Sequence, residues 1–302
     1  MDMGSIWVGA TLLGAAGQVA RNAMQRQLTA KIGTAGATQV RFLYGFPFAV
    51  LFLLLVRLAT GEPVPAPGAG FAGFLGLGAI TQILATALML AAMQARSFSV
   101  VTALIKTEAI QIAVFGFLFL GDRLTALGVG AVLLATAGVV LVSWTPKASG
   151  ETRVVGMRPI VLGLSAGALF AFSAVGYRGA ILSLASGSFL IRATTALVCG
   201  LALQTVMLLA WMAVFDRAAL MGSLRHWRSS LAAGFVGATA SQFWFIAFAL
   251  TAAVNVRTLA LVEVLMAQAV SRRLLKQSTS SREIVGMAMI VVGVLFLLAS
   301  AR

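Results

Sequence analysis

Three ionisable side chains lie deep inside apolar stretches of the sequence, those of Lys106, Glu108 and Glu263. A charge at membrane depth is costly unless it faces a cavity or a partner, so each is a candidate binding residue. The lysine offers an ammonium group to a carboxylate, and the glutamates could bind an ammonium group or carry a proton. We therefore count all three among the predicted substrate-binding residues.

The spacing of the first two residues limits which partners they can have. Two residues apart on a helix, Lys106 and Glu108 point about 200° away from each other. Each must therefore look to another helix or to water. The structural alternative is an interhelical salt bridge, or a carboxylate capped by backbone at a helix break. Both interpretations stay open for all three charged residues.

Two amides and one aromatic residue complete the predicted binding set. Gln82 lies in the middle of the third apolar stretch, and Gln242 and Trp244 lie in the eighth. Buried amides need hydrogen-bond partners, and an aromatic group beside an amide suits an amphipathic ligand. The alternative is that the aromatic residue packs against a neighbouring helix or anchors the protein at the membrane interface.

Five arginines also fall within or near apolar stretches. Arg41, Arg178 and Arg192 lie near the ends of predicted helices, where we expect them to extend towards the membrane surface or to bridge to a neighbour. Arg21 and Arg257 are open to the same two interpretations.

Composition identifies the elements that must position these side chains. Of 302 residues, 60% are apolar and 10% are charged, whereas about 25% of a soluble domain is charged. Lipid must therefore be the solvent, which restricts the backbone to helices or a closed barrel. Barrel strands alternate apolar and polar residues, and unbroken runs such as 46–56 do not. The sequence predicts an all-α membrane protein.

A membrane-spanning helix needs about 20 mostly apolar residues. Division of the sequence at charges, prolines and Gly/Ser clusters predicts ten spans: 5–26, 34–58, 69–94, 98–120, 124–144, 159–182, 187–215, 229–250, 255–275 and 282–301. The polar loop 145–158 separates a five-helix repeat at 1–144 from a second one at 159–302.

Basic residues predict that the two repeats are inverted. They concentrate in the odd-numbered connections, and only Arg57, Arg123 and Arg302 lie on the other side. The positive-inside rule then places the basic connections in the cytoplasm and both termini outside, in the periplasm. A five-helix unit repeated once must invert, since five is odd. Secondary transporters often use such repeats, with the substrate site between them near the midplane.

Three short motifs follow one another at the end of the first repeat. They are Glu108-Ala109, Leu120-Gly-Asp-Arg-Leu124 and Gly138-Val-Val-Leu141. The second repeat keeps Glu263-Val264 and Gly293-Val294, with Leu275-Lys-Gln-Ser278 in place of the middle motif. The order resembles the EamA-type members of the drug/metabolite transporter superfamily, whose repeats often carry Glu-Pro, then Gly-Glu-Arg/Lys-Leu, then a Gly-rich last helix.

The resemblance implies ten helices in two EamA repeats, a place in the bacterial inner membrane and export of small metabolites. In layout the chain is similar to the aromatic and neutral amino-acid exporters of the YddG type. We therefore predict a secondary transporter or facilitator of neutral or aromatic amino acids, working by alternating access with its site between the repeats. A transporter of another metabolite or drug class is the nearest alternative.

The other class considered is an intramembrane enzyme acting on lipid or peptide. Such chemistry needs paired aspartates, a histidine cluster for a metal, or a Ser/His pair. The only histidine, His226, lies in a predicted loop, and the single cysteine, Cys199, forms no disulfide framework or thiolate metal cluster. We predict no catalytic residues, metal or cofactor. The expected partners are a small-molecule substrate and the lipid bilayer, without nucleic acid, and a monomer is compatible with the sequence.

Overall fold

The computed structural model describes residues 3–95, 101, 104–143, 157–266 and 281–300. All the regular secondary structure in the described residues is helical, as the composition predicts. The helices are α1 (Met3–Leu43), α2 (Phe46–Thr60), α3 (Ala69–Ala95), α4 (Glu108–Leu120), α5 (Ala126–Ser143), α6 (Met157–Leu182), α7 (Phe189–Phe215), α8 (Arg217–Arg225), α9 (Trp227–Leu250), α10 (Ala253–Leu259) and α11 (Ser281–Ser300).

Six helical stretches in the described part of the chain are long and apolar enough to cross a bilayer. They are Ser5–Thr60, Ala69–Gln94, Met157–Leu182, Phe189–Phe215, Trp227–Leu250 and Ser281–Ser300. Large apolar side chains such as Leu54, Phe117 and Val214 face outwards. Because a surface of this kind needs lipid rather than water around it, the chain is a multi-pass membrane protein.

The first helix is longer than predicted. Its predicted end lies near Arg26, but the helix continues to a kink at Gly33, beyond which a second helical stretch runs to Leu43 without a loop. Gly33 has a φ of 72° and a ψ of 176°, a backbone conformation that is open to glycine and strained for other residues. The kink therefore takes the place of the loop expected between the first two spans.

The second predicted span, 34–58, is interrupted in its middle. Helix α1 ends at Leu43, and α2 begins at Phe46 with Pro47 in its first turn. Proline has no N–H to donate and its ring clashes with the preceding helical turn, so it favours a break at this point. The break places Arg41 in the last turn of a helix that ends inside the protein.

The fourth and ninth predicted spans, 98–120 and 255–275, are also broken within their described residues. A turn at Thr107 precedes α4, and a turn at Ala260–Leu261 follows α10. The backbone bonds at both sites join residues three apart, as in Ile110 N–H to the Thr107 carbonyl (3.2 Å) and Glu263 N–H to the Ala260 carbonyl (3.0 Å). Residues 267–280 lie outside the described part of the chain.

Three helix pairs form the most extensive contacts. Helix α3 packs on α6, α1 on α9, and α5 on α11. The α3–α6 pair is close because Gly176 has no side chain: a Cβ there would lie 2.7 Å from the backbone nitrogen of Gly78. Small residues at such crossings let membrane helices approach closely.

The connections differ in how well they match the predictions. Residues 61–68 form a loop, as expected, and the Glu62 carboxylate accepts a 2.8 Å bond from the Ser188 amide. The polar stretch 216–228, predicted as a loop, instead contains α8. The Asp216 side chain caps that helix by accepting a bond from the Ala219 amide (3.0 Å). The predicted joint at 145–158 lies almost wholly outside the described residues.

Candidate functional site

Lys106 and Glu263 form a salt bridge at the centre of the protein. Both side chains are buried, so water does not screen their attraction. The Gln18 amide also donates to the Glu263 carboxylate at 3.4 Å. The residues before the Thr107 turn thus reach across to those after the Ala260–Leu261 turn, and the prediction that Lys106 must pair outside its own helix is confirmed.

Glu108 forms a second buried ion pair, with Arg257. The guanidinium Nη1 lies 3.4 Å from the Glu108 Oε1. The same guanidinium lies over the Trp244 ring, 4.5 Å from its centroid, and 5.6 Å from the Phe248 centroid. Such cation–π contacts strengthen when water is excluded. Arg257 therefore lies in the interior, although the sequence left it open to an interfacial position.

The two turns explain why these charges meet. In a straight helix every backbone amide and carbonyl bonds within the helix. Its side chains then continue along the helix axis through the interior without interruption. At Thr107 and at Ala260–Leu261 the helical path is interrupted, with α4 starting at Glu108 and α10 ending at Leu259. Unwound backbone at membrane depth is tolerated where it is buried or lines a cavity, and these two turns lie beside the ion pairs.

A narrow cavity adjoins both ion pairs. Its free space would hold no more than about one or two water molecules, so little room is left beside the charges. Arg21 is buried in its wall. The Arg21 guanidinium bonds to the neighbouring Asn22 side chain, at 3.2 Å from Nη2, and its Nη1 has no hydrogen-bond partner in the described part of the chain.

A second narrow cavity lies beside the first, and Gln18, Phe170 and Arg257 line both. Its wall is largely aromatic and includes Trp244. Arg41 is buried there and donates to the Thr86 hydroxyl at 3.1 Å. Of the two alternatives predicted for Arg41, the structure shows the bridge to a neighbouring helix and not the extension to the membrane surface, because the chain breaks just after Arg41 and leaves it inside.

Gln82 lines the second cavity and is already hydrogen-bonded. Its Oε1 accepts bonds from the Tyr177 hydroxyl at 3.2 Å and from the Gln204 amide at 2.9 Å. Gln242 lies elsewhere: its amide donates to the Thr194 hydroxyl at 2.8 Å, joining α9 to α7. Five of the six predicted binding residues thus line the two cavities, and Gln242 does not.

A third ion pair lies nearer the edge of the structure. Arg178 contacts Asp122 at 3.2 Å and also donates to the backbone carbonyls of Phe248 and Thr251. Asp122 follows Gly121, which ends α4 in the left-handed conformation. The bridging role predicted for Arg178 is confirmed, and the Gly-Asp of the sequence motif ties α4 to α6 and to the end of α9.

The sequence predicts no role for Gln18. It predicts that Arg21, Arg41 and Arg257 either extend towards the membrane surface or bridge to a neighbour. A row of polar residues along one face of α1 is the sequence pattern that could have placed Gln18 and Arg21 in the interior. Polar residues recur there at helical spacing, all of them buried: Thr11, Gln18, Arg21 and Gln25. Such a stripe on one face of an apolar helix marks a side turned towards the protein interior.

Within the described residues, no group of three His, Cys, Asp or Glu side chains is arranged to hold a metal ion. The chemistry of the centre is that of charge, amide and aromatic groups. Apolar helices enclosing such a centre define a multi-pass membrane protein with a charged interior.

Comparison with known proteins finds a match to a protein family for the first half of the chain. Residues 5–144, just under half of the chain, match the EamA-like transporter family. No curated protein matches significantly. A solved structure described as "Crystal structure of protein" aligns with 100% of this chain and 98% of its own, with a TM-score of 0.68 and 15% identity. At that identity the likeness shows a shared fold.

Proposed function

We propose that this protein is a secondary transporter or facilitator, rather than an enzyme, that exports small organic metabolites, with neutral or aromatic amino acids foremost. The observation that carries the proposal is the pair of buried ion pairs, Lys106–Glu263 and Arg257–Glu108. Each joins the first half of the chain to the second, next to a broken helix. The match of residues 5–144 to EamA-like transporters supports it.

The proposal includes ten membrane crossings in two inverted EamA-type repeats, 1–144 and 159–302. Gly33 divides Ser5–Thr60 into two stretches of roughly 40 Å each at 1.5 Å per residue, enough for one crossing apiece. The broken segments around Thr107 and Ala260–Leu261 then supply the fourth and ninth crossings.

The helix pairs support a two-fold relation between the halves. If the first crossing corresponds to the sixth and the third to the eighth, the α1–α9 contact is the counterpart of the α3–α6 contact. The pair of α5 and α11, the last helices of each half, is its own counterpart. Glu108 and Glu263 also correspond, each paired with a cation of the opposite half.

Alternating access would use the ion pairs as reversible ties across the seam between the repeats. In the closed state each glutamate neutralises a cation of the other half. A substrate carboxylate would compete for those cations and loosen the ties, so that the halves can rock apart on one side of the membrane. Transport driven by a proton on a glutamate and simple downhill export both fit this scheme.

The roles proposed for the predicted binding residues follow from their positions. Lys106 would bind a substrate carboxylate, with Glu108 and Glu263 binding an ammonium group or a proton. Gln82 would offer an amide and Trp244 an aromatic face from the second cavity. For Gln242 we propose an indirect part, through its bond to Thr194.

The test is flux through purified protein in liposomes. We expect labelled neutral and aromatic amino acids to leave proteoliposomes faster than protein-free liposomes. Lys106→Met should abolish that difference, whereas Arg57→Gln, on an exposed face of α2, should not change it. If a broad panel of amino acids shows no flux while another solute class moves, the amino-acid assignment is wrong.

The proposed location is the bacterial inner membrane, with both termini in the periplasm. A reporter enzyme that is active only in the periplasm, fused to the C-terminus, should then be active in cells. The same reporter fused at the basic connection after α8 should be inactive. Activity at that connection together with no activity at the C-terminus would contradict the proposed orientation.

A further inference from the structure

The charges around the two cavities do not balance. Among the residues that the structure describes, four cations line them, Lys106, Arg257, Arg21 and Arg41, but only two carboxylates, Glu108 and Glu263. Each carboxylate is already paired with one cation of the opposite half. In the described part of the chain, two arginines therefore remain inside the protein without a carboxylate partner.

Among the described residues, neither of these two arginines contacts a carboxylate. Arg21 is 2% exposed, and the neutral side chain of Asn22 is its only hydrogen-bond partner among the described residues. Arg41 is 5% exposed, donates to the Thr86 hydroxyl, and has no partner at its Nε in the same residues. Both are more than nine-tenths buried and each has an unsatisfied donor.

A guanidinium does not escape this situation by losing its proton, because it stays charged in proteins. An isolated buried charge is strongly unfavourable unless something compensates it. In the described residues the two carboxylates of the cavity wall are paired with Lys106 and Arg257. An anionic molecule that enters the cavity would supply the missing negative charge.

We infer that the site takes an organic anion with a carboxylate or similar group held by Arg21 and Arg41 and an aromatic or apolar body beside Trp244 and Phe248. This deepens the proposed function and rests on it, since it adds a preference for a net negative charge among the small organic metabolites proposed as substrates. Carboxylates form strong, often two-point hydrogen bonds to guanidinium groups. A substrate ammonium group, in contrast, would first have to displace Lys106 or Arg257 from its glutamate.

The aromatic part of the inference comes from the second cavity. Tyr177, Phe245 and Phe248 line it together with Trp244, next to Arg41. Tyr177 and Phe245 contact each other with ring centroids 4.6 Å apart. The present space is too small for such a molecule, so loading requires the elements at the two turns to separate.

Three probes that share one carbon skeleton test the charge preference. They are 3-phenyllactate, an anion; phenylalanine, in which an ammonium replaces the hydroxyl; and phenylalaninamide, a cation. Thermal unfolding of the purified full chain in detergent reports binding without requiring transport. We expect 3-phenyllactate to stabilise the protein most and phenylalaninamide least, with apparent Kd values differing by at least about tenfold between anion and cation.

Variants at the two arginines link the preference to the site. Arg21→Gln and Arg41→Gln should each weaken 3-phenyllactate binding by about tenfold or more while changing phenylalaninamide binding little. Arg21→Lys, which keeps the charge, should retain a measurable part of the preference. Arg57→Gln is the control, since it removes an exposed arginine.

The outcomes separate this inference from the proposed function. Equal stabilisation by all three probes, or a preference that survives both arginine-to-glutamine variants, overturns the anion inference even where proteoliposomes transport amino acids. No stabilisation by 3-phenyllactate also overturns it. If 3-phenyllactate binds as expected but no solute crosses the membrane, the anion site stands and the transport proposal fails.

Discussion

Each of the two central glutamates follows a break in a helix, yet their ion pairs differ. Glu263 receives the compact ammonium of Lys106 and an amide bond from Gln18. Glu108 receives the planar guanidinium of Arg257 at 3.4 Å, and that guanidinium also rests on Trp244. In the first pair the cation contacts a carboxylate. In the second pair the cation contacts both a carboxylate and aromatic rings.

The difference indicates a division of labour between the two pairs. An ammonium is a point charge that depends on its carboxylate, so Lys106 would be left uncompensated if Glu263 moved away. A guanidinium stacked on rings keeps part of its stabilisation when its carboxylate leaves. We therefore expect the Lys106–Glu263 pair to contribute most to holding the halves together before a ligand enters, and the Arg257–Glu108 pair to open first.

The largest effect should come from Glu263→Gln. Breaking a buried pair by removing one partner typically costs about 3–5 kcal/mol, because the other charge stays buried and unpaired. The free energy of unfolding in mixed micelles of mild detergent and SDS measures it. The double variant Lys106→Met with Glu263→Met should recover most of the loss, since it removes both charges. A double variant as unstable as the single one would contradict this account.

A smaller effect should follow Glu108→Gln. We expect the free energy of unfolding to fall by about 1–3 kcal/mol in the same assay, which is the usual cost of leaving a buried hydrogen-bonding group without its partner. The rings of Trp244 and Phe248 continue to stabilise Arg257. If Glu108→Gln destabilises the protein as much as Glu263→Gln, the two pairs are equivalent and the proposed division of labour is wrong.

The smallest effect should come from the edge of the structure. The Asp122 and Arg178 side chains are 14% and 12% exposed, and Arg178 also has two backbone carbonyls as acceptors. Asp122→Asn should therefore lower the free energy of unfolding by only about 1 kcal/mol, since asparagine keeps an oxygen that can accept the Arg178 bond. Flux in proteoliposomes should stay near that of the unmodified protein, and a loss of flux would extend the functional site to this edge.

The sequence by itself determined that the chain is built from membrane helices. A chain with 60% apolar and 10% charged residues must satisfy its backbone internally in lipid, which requires no knowledge of contacts. It also determined that Lys106 and Glu108 could not neutralise each other, because helical spacing turns them apart. Both conclusions follow from local geometry or from composition.

Only the tertiary structure decided which residues share the interior. The turns at Thr107 and at Ala260–Leu261 contain no proline or glycine, so no residue type at those positions marks a break in the helix. Arg21, Arg41 and Arg257 resemble helix-end residues in the sequence, because apolar composition defines a span without fixing its ends. Their positions depend on where the chain kinks and which helix packs opposite, and those are long-range contacts that composition does not encode.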